Sequence, residues 1–158
     1  YSGIMLIHIA SDHRGFKLKE ALKIFLKENA YQFADLGSER YEEGDDYPDF
    51  AARVAEKISA GASDADRGVV ICGSGVGVDV VANKFRGVRA ALVASPDQAF
   101  VSRNDDDTNV LALAADFLDE ETAKKIVATW LATPFSGEER HRRRLRKISE
   151  LENRLASG

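Results

Sequence analysis

The stretch VVICGSGVGVDVVANK, residues 69–84, joins a short apolar run to a glycine-rich turn and then to a second apolar segment. An apolar run of about four to eight residues bounded by glycine is typical of a buried strand. Cys72, the only cysteine of the chain, ends this run. A strand, a glycine turn and a helix in this order predict one unit of a parallel α/β sheet.

The same alternation continues in both directions along the chain. Strands are predicted at residues 6–11, 31–37, 67–72, 88–94 and 108–115. Helices are predicted at residues 15–29, 47–61, from the glycine turn to about 84, and at 96–103, 119–133 and 138–156. Strict alternation is typical of a parallel sheet that helices cover on both faces. The predicted fold class is therefore α/β, a three-layer Rossmann-like sandwich with a five-stranded parallel sheet and an extended C-terminal helix.

The length of 158 residues and the hydrophobic content of 44% are sufficient for one domain, which we expect over residues 5–158. Residues 1–4 precede the only methionine, Met5, and are set aside as a candidate expression remnant. The segment at about 138–156 has few apolar positions for core packing. We expect it to form a helix that reaches a partner subunit.

The composition excludes several classes of protein. A formal net charge of −4 and a pI near 5.4 argue against general binding of nucleic acid. No apolar run approaches the roughly 20 residues that a membrane span needs, and no signal peptide is visible. A single cysteine excludes an intrachain disulfide and fits a reducing compartment, so a cytoplasmic location is predicted.

Cys72 and its glycine turn are predicted to lie where ligands bind in open parallel sheets, outside the carboxyl ends of the strands. Free N–H groups at the start of the next helix attract negative charge and would favour a thiolate that can act as a base. A small buried cysteine beside a tight turn is an equally open interpretation. A dinucleotide-binding loop is disfavoured, because an acidic residue is expected about 20 positions later. Leu92–Ala94 stand there instead.

The segment SDHRG, residues 11–15, ends the first strand at the same edge of the sheet. Asp12 is predicted to cap the following helix. His13 can supply a cation or a proton shuttle near neutral pH, and a purely structural role stays open. His8, inside the strand, is interpreted as structural.

Two charged segments lie further along the chain. In the basic run 140–147, Arg140 and Arg144 are four residues apart on one helical face and could grip one phosphate, although a solvated face is the alternative. The acidic run 105–107 has no neighbouring histidine. Such carboxylates are more often loop and cap residues than metal ligands, so no metal site is predicted.

Four motifs together resemble a known family. The stretches ASDHRGFKLKE, DYPDFA, ICGSGVGVDVVANKFRGVRAAL and RHRRR are similar to the sugar-phosphate isomerases of the ribose-5-phosphate isomerase type B and galactose-6-phosphate isomerase family. The similarity extends from Leu6 to about Ile148. The turn Cys-Gly-Ser-Gly-Val-Gly followed by Ala-Asn-Lys carries most of its specificity.

The resemblance implies isomerisation of an aldose to a ketose through a cis-enediolate, without metal or cofactor, as in the pentose phosphate pathway. It implies that Cys72 is the base that moves a proton between C2 and C1 and that Ser74 keeps a hydroxyl at the site. Backbone N–H groups would stabilise the enediolate oxygen, as an oxyanion hole does. These groups belong to Gly73, Gly75, Val76 and Gly77.

The resemblance also implies a substrate site shared between subunits. Asp12 and His13 match residues near the sugar and the phosphate, and Arg140 and Arg144 match phosphate-binding arginines. The family's sites lie at a dimer interface, so the expected assembly is a homodimer or a dimer of dimers that binds a sugar phosphate.

Two departures from the family pattern alter this expected site. Asp105 and Asp106 stand where the family carries His-Asn, and that histidine is the expected group for ring opening. An anionic Asp105 can accept a proton from a sugar hydroxyl, so Asp105 is a catalytic candidate and Asp106 a substrate-binding one. Asp116 stands where the family carries another phosphate-binding arginine.

Three functional hypotheses follow. The leading one is an aldose–ketose isomerase whose default substrate pair is ribose 5-phosphate and ribulose 5-phosphate. The second is an isomerase of another sugar phosphate, such as a hexose 6-phosphate. The third is a non-catalytic sugar-phosphate-binding subunit, against which the retention of Cys72 argues.

Overall fold

Strands and helices alternate along the computed structural model, which describes residues 4–61 and 63–157. The interpretation of residues 1–4 as a remnant falls mostly outside this described part. The strands are β1 Leu6–Ser11, β2 Gln32–Asp35, β3 Arg67–Cys72, β4 Ala90–Leu92 and β5 Val110–Ala114. The helices are α1 Phe16–Glu28, α2 Tyr47–Ser59, α3 Val76–Ala82, α4 Pro96–Asp106, α5 Glu120–Ala132 and α6 Glu139–Ala156.

The strands form one parallel sheet in the order β2-β1-β3-β5-β4. β3 lies at its centre: Val69 is opposite Ile9 of β1 on one side and opposite Leu111 of β5 on the other. All the paired strands run in the same direction. The predicted fold class, an α/β sandwich with a five-stranded parallel sheet and a long C-terminal helix, is confirmed.

Helices cover both faces of the sheet because successive side chains of each strand point to opposite sides. Val69 and Ile71 of β3 pack into an apolar layer with α1, α4 and α5. Val70 and Cys72 pack into a second layer with α2 and α3. The thiol of Cys72 therefore lies on the α2–α3 face, at the carboxyl end of the central strand.

Several elements differ in length from the prediction: β2, β4 and β5 are shorter, and α4 is longer. β4, an edge strand paired with β5, covers Ala90–Leu92 instead of the predicted 88–94. α4 continues to Asp106 instead of ending at Arg103. Arg103 donates to a carboxylate oxygen of Asp107 at 2.8 Å, and Arg89 donates to the carbonyl of Asp107 at 2.8 Å. These bonds hold the end of the helix, so Asp105 and Asp106 lie on its last turn.

Lys19 of α1 is an exception to the usual exposure of lysine, because its side chain is 0% exposed. Its Nζ donates to both carboxylate oxygens of Asp35, at 2.8 and 2.7 Å, and to the carbonyl of Ser38 at 2.8 Å. The ion pair ties α1 to the end of β2 and to the loop that follows it.

Helix α6 packs only lightly on its own protomer. His141 is its one buried residue within the described chain. Arg86 donates to Asn153, and the N–H of Gly87 donates to Glu152 at 2.8 Å, which tethers the far end of the helix. Leu155 is 76% exposed. No helix in the described ranges has both the length and the apolar character that crossing a membrane would require.

Candidate active site

The thiol of Cys72 is buried at the end of β3, with 4% of the residue exposed. Its Sγ accepts a hydrogen bond from the backbone N–H of Gly75, at 3.2 Å. A donor directed at sulfur stabilises negative charge there, which a thiolate base needs. Ser74 between them is exposed, and its Oγ accepts from the N–H of Val76 at 3.2 Å.

Glycine is required at two positions of this segment, at Gly75 by the backbone conformation and at Gly77 by the close approach of Tyr47. Gly75 has φ +73°, and a Cβ there would lie 2.4 Å from Cδ1 of Leu92. A Cβ on Gly77 would lie 2.5 Å from the ring of Tyr47. The glycines therefore let the turn approach both its own sheet and the tyrosine that begins α2.

A cavity of about 600 Å³ opens beside this turn. Cys72, Gly73, Ser74, Val76 and Gly77 form one wall of it. The remaining lining residues come from the starts of α1 and α2, from α3 and from the segment after β5: Asp12, Arg14, Tyr47, Val80, Asp116 and Phe117. Six of the predicted site residues thus meet around one cavity, and Gly75 supports them from within the turn.

Asp12 lies beside Cys72 because β1 and β3 are neighbours, and its N–H donates to the carbonyl of Ile71 at 3.3 Å. Its prediction as the cap of α1 is wrong, because Gly15 occupies that position. The Oδ1 atom of Asp12 instead accepts from the N–H of Gly15, at 3.0 Å, and closes the turn before the helix. Burial raises the pKa of Asp12; the Gly15 N–H and His13 oppose the rise, and Asp45 adds to it.

Replacing Asp12 with asparagine is expected to stabilise the fold. The raised pKa means that the charged carboxylate is disfavoured in the folded state, so the wild type loses stability as the pH rises from about 3.9 through the higher folded pKa. Asparagine keeps the acceptor for Gly15 and does not titrate. Urea unfolding should show a stability advantage of Asp12→Asn that grows across this pH window and stays constant above it. A difference independent of pH would contradict this account.

His13 is held by Asp45, a residue that no sequence motif marked. Its ring Nδ1 lies 2.7 Å from Oδ1 of Asp45, and its backbone N–H donates to the same oxygen at 2.9 Å. Donor atoms of Asp12, His13 and Asp45 all lie within 4.8 Å of one another, a spacing that could hold a metal ion. A metal would have to displace the bond between His13 and Asp45, so the arrangement is that of a hydrogen-bonded pair.

Asp116, which stands where the resemblance implies an arginine, pairs with Arg14 at the cavity. A Cβ on Gly73 would lie 2.6 Å from both Nε of Arg14 and Oδ2 of Asp116, so the pair packs directly over the glycine turn. The backbone supports this arrangement, since the N–H of Asp116 donates to the carbonyl of Gly73 at 2.9 Å. The aspartate neutralises Arg14 instead of adding a second positive charge.

The other predicted residues lie in a separate group, where α4 meets the start of α6. Oδ1 of Asp105 lies 3.7 Å from Nε2 of His141, which is 2% exposed. Nδ1 of that histidine lies 2.6 Å from Oγ of Ser136. Asp106 is exposed. Asp105 thus has a buried imidazole behind it, which the sequence alone did not indicate.

Arg140 and Arg144 are exposed on α6. Arg140 donates to Glu138 at 2.9 Å. Within one protomer, neither arginine is among the described residues that line the Cys72 cavity, and neither Asp105 nor Asp106 is. These four residues therefore do not reach the Cys72 cavity of their own chain, and the site shared between subunits stays a prediction.

Two lining residues could have been found from the sequence. Tyr47 begins α2, and the helix that follows a strand of a parallel sheet starts at the same edge as Cys72. Arg14 lies in the first strand–helix turn beside Asp12. Asp45 carried no such signal, because it belongs to an acidic loop without periodic pattern.

The chain is similar to known proteins of one family. The sequence profile of the family described as Ribose/Galactose Isomerase matches residues 7–148. A probable ribose-5-phosphate isomerase B of Mycoplasma genitalium is 45% identical over 146 residues, which cover 92% of this chain and 95% of that protein. The ribose-5-phosphate isomerase B of Escherichia coli is 39% identical over 148 residues, covering 94% and 97%.

Solved structures are similar in fold as well as in sequence. A crystal structure of ribose-5-phosphate isomerase B from Mycoplasma genitalium with bound ribulose 5-phosphate has a TM-score of 0.90 and 44% identity, covering 94% of this chain and 97% of that one. The Clostridium thermocellum ribose-5-phosphate isomerase B has a TM-score of 0.90 and 42% identity, covering 96% and 99%. The expectation of an aldose–ketose isomerase is confirmed, and the chain belongs to the ribose/galactose isomerase family.

Proposed function

We propose that this chain interconverts ribose 5-phosphate and ribulose 5-phosphate, with Cys72 as the base. The observation that carries the proposal is the buried thiol with an N–H donor on its sulfur, facing a cavity beside a turn of backbone amides. The names of the relatives support the choice of substrate.

The chemistry requires one proton to move between carbons and another between oxygens. The Cys72 thiolate takes the proton from C2 of the open-chain aldose, and the electron pair moves to the oxygen on C1, which gives a cis-enediolate. N–H groups of the turn stabilise that oxygen. The Ser74 hydroxyl passes a proton from the oxygen on C2 to the oxygen on C1. The Cys72 thiol then returns its proton to C1, and a carbonyl remains at C2.

The phosphate and the ring oxygen need groups that the Cys72 cavity of one protomer does not hold. His13 lies on the same side as Asp12, while Arg140, Arg144, Asp105 and Asp106 lie elsewhere in the chain. We assign these four to the site of a second copy, in a homodimer. The exposed arginines and the light packing of α6 support this assignment.

Mixing two inactive variants tests the shared site. Cys72→Ala and the double variant Arg140→Ala/Arg144→Ala should each be inactive alone. After unfolding and refolding together in equal amounts, about one quarter of wild-type activity should return, because half of the dimers then carry one intact site of two. No recovery, with heterodimers present by mass spectrometry, would place the arginines and the thiol in one chain's site.

One observation favours a second substrate. Asp116 neutralises Arg14 where the resemblance implies an additional cation, and this changes the charge at the cavity. A hexose 6-phosphate is therefore the alternative. Comparison of kcat/KM across ribose 5-phosphate and several hexose 6-phosphates decides: preference for ribose 5-phosphate supports the main proposal, and preference for a hexose supports the alternative. Binding without turnover of any of them would make the chain a non-catalytic subunit.

A further inference from the structure

The loop between β2 and α2, residues 36–46, contacts His13 at two points. Tyr41 packs edge-on against the imidazole, with ring centroids 6.1 Å apart and planes at 81°. Asp45 accepts two hydrogen bonds from His13 through one oxygen, at 2.7 and 2.9 Å. This acidic loop was assigned no function from the sequence, yet it holds His13, which lies in the chain between Asp12 and Arg14, two lining residues of the Cys72 cavity.

The hydrogen-bond pattern decides which ring nitrogen carries the proton. Oδ1 of Asp45 already accepts the backbone N–H of His13, so it acts as an acceptor there. An ionised carboxylate can only accept, and Nδ1 must therefore donate to it. Nε2 makes no hydrogen bond to any residue in the described part of the chain, and it is the nitrogen left for a ligand.

His13 and Asp45 are close partners in a partly buried site. The second oxygen of Asp45, Oδ2, is buried and has no hydrogen-bond partner among the described residues. Among the described residues, only His13 donates hydrogen bonds to this carboxylate, and a buried polar group with so few partners depends on each of them. Asp12 is a second carboxyl nearby, with an oxygen within 4.8 Å of a ring nitrogen of His13, and Arg14 is engaged by Asp116. Asp45 is the carboxyl that contacts Nδ1.

We infer that Asp45 is a positioning residue: it accepts the Nδ1–H of His13 and fixes the orientation of the ring, so that the imidazolium, which carries a proton on both nitrogens, can donate Nε2–H to the substrate's phosphate. The inference rests on the proposed function for the identity of the ligand. Asp45 itself does not touch the substrate. It acts through the imidazole, as the carboxylate partners of functional histidines do in other sites.

Steady-state kinetics with ribose 5-phosphate test the role of the negative charge on Asp45. Asp45→Asn keeps an acceptor oxygen for both N–H groups and removes the carboxylate charge, so KM should rise by about tenfold with kcat within about twofold. Glu43→Gln is the matched control, since Glu43 is exposed in the same loop and its KM should stay within about twofold of wild type. Equal KM values in Asp45→Asn and wild type would overturn the role of the charge.

Nitrogen-15 NMR of the imidazole rings tests the geometry without relying on turnover. The chain has three histidines, so His13 can be assigned with a His13→Gln variant. Nδ1 of His13 should carry a proton in the wild type, and Asp45→Ala should convert the neutral ring to the Nε2–H form. Inorganic phosphate should bind Asp45→Ala about tenfold more weakly than wild type. An unprotonated Nδ1 in the wild type, or the same spectrum in both proteins, would overturn the inference even if ribose 5-phosphate proved not to be the substrate.

Discussion

Replacement of Cys72 by alanine is expected to lower kcat for ribose 5-phosphate by roughly 10²–10⁴-fold, the usual contribution of a general base. The proton at C2 then has no acceptor, while the backbone N–H groups of the turn and the phosphate ligands remain. KM should therefore change little. Initial rates of ribulose 5-phosphate formation, measured over a range of substrate concentrations, give both constants.

A neighbouring core substitution separates chemistry from packing. Val70 lies on β3 two residues before Cys72 and packs into the same apolar layer. Val70→Ala removes more apolar volume than Cys72→Ala, so it should destabilise the fold more and leave kcat near the wild-type value. Were Cys72→Ala to lose stability with kcat unchanged, Cys72 would be only a small buried side chain.

Replacement of Asp35 by asparagine should have the largest effect on stability, a loss of about 3–5 kcal/mol in the free energy of unfolding. Lys19 is 0% exposed, and Asp35 supplies two of the three short hydrogen bonds to its Nζ. Without the carboxylate of Asp35, the buried ammonium group keeps, among the described residues, only Glu20 at 3.8 Å as a counter-charge. Such a loss is a large part of the roughly 5–15 kcal/mol that stabilises a domain.

Two further variants test whether the loss of stability comes from leaving the charge of Lys19 buried without its partner. Lys19→Met/Asp35→Asn removes both charges and should recover at least half of the lost stability, because the buried charge of Lys19 is then no longer left without its partner. Glu121→Gln removes an exposed partner of Lys124 and should cost less than about 1 kcal/mol. If Asp35→Asn lost no more stability than Glu121→Gln, the buried Lys19 would not depend on Asp35 for its stability.

The change of stability with pH shows whether the charge on Asp35 stabilises or destabilises the fold. Burial opposes the charge on Asp35, but hydrogen bonds from Lys19, Lys23 and the Gly37 N–H outweigh it, and the pKa of Asp35 is lowered. A carboxyl whose folded pKa is below the unfolded value of about 3.9 stabilises the fold above that value. The contribution disappears as the pH falls through the folded pKa. The gap between wild type and Asp35→Asn in urea unfolding should therefore be constant at neutral pH and narrow below about pH 4.

The sequence was sufficient to predict the features that depend on local pattern. Alternating apolar and amphipathic segments predicted the five parallel strands. The residues at the carboxyl ends of these strands were then predicted to lie at the same edge of the sheet. Cys72 and Asp12 meet at one cavity for this reason, since β1 and β3 are neighbours. The roles assigned to these residues in catalysis stay predictions until they are tested by mutation.

Contacts between segments distant in the chain could not be predicted from local pattern. The pairs Lys19–Asp35 and Arg14–Asp116, and the bond from His13 to Asp45, each depend on how loops fold over the sheet. The length of α4 depended on Arg89, which reaches the helix end from the start of β4. Each of these contacts is decided by tertiary packing.

The fate of the C2 hydrogen of ribose 5-phosphate in D₂O tests the central claim most directly. Proton NMR should show deuterium entering C2 of the aldose pool during turnover by the wild type, because the enediolate is reprotonated from a thiol that exchanges with solvent. Cys72→Ala should exchange this hydrogen only at the background rate. Exchange in Cys72→Ala at the wild-type rate would contradict the assignment of Cys72 as the base.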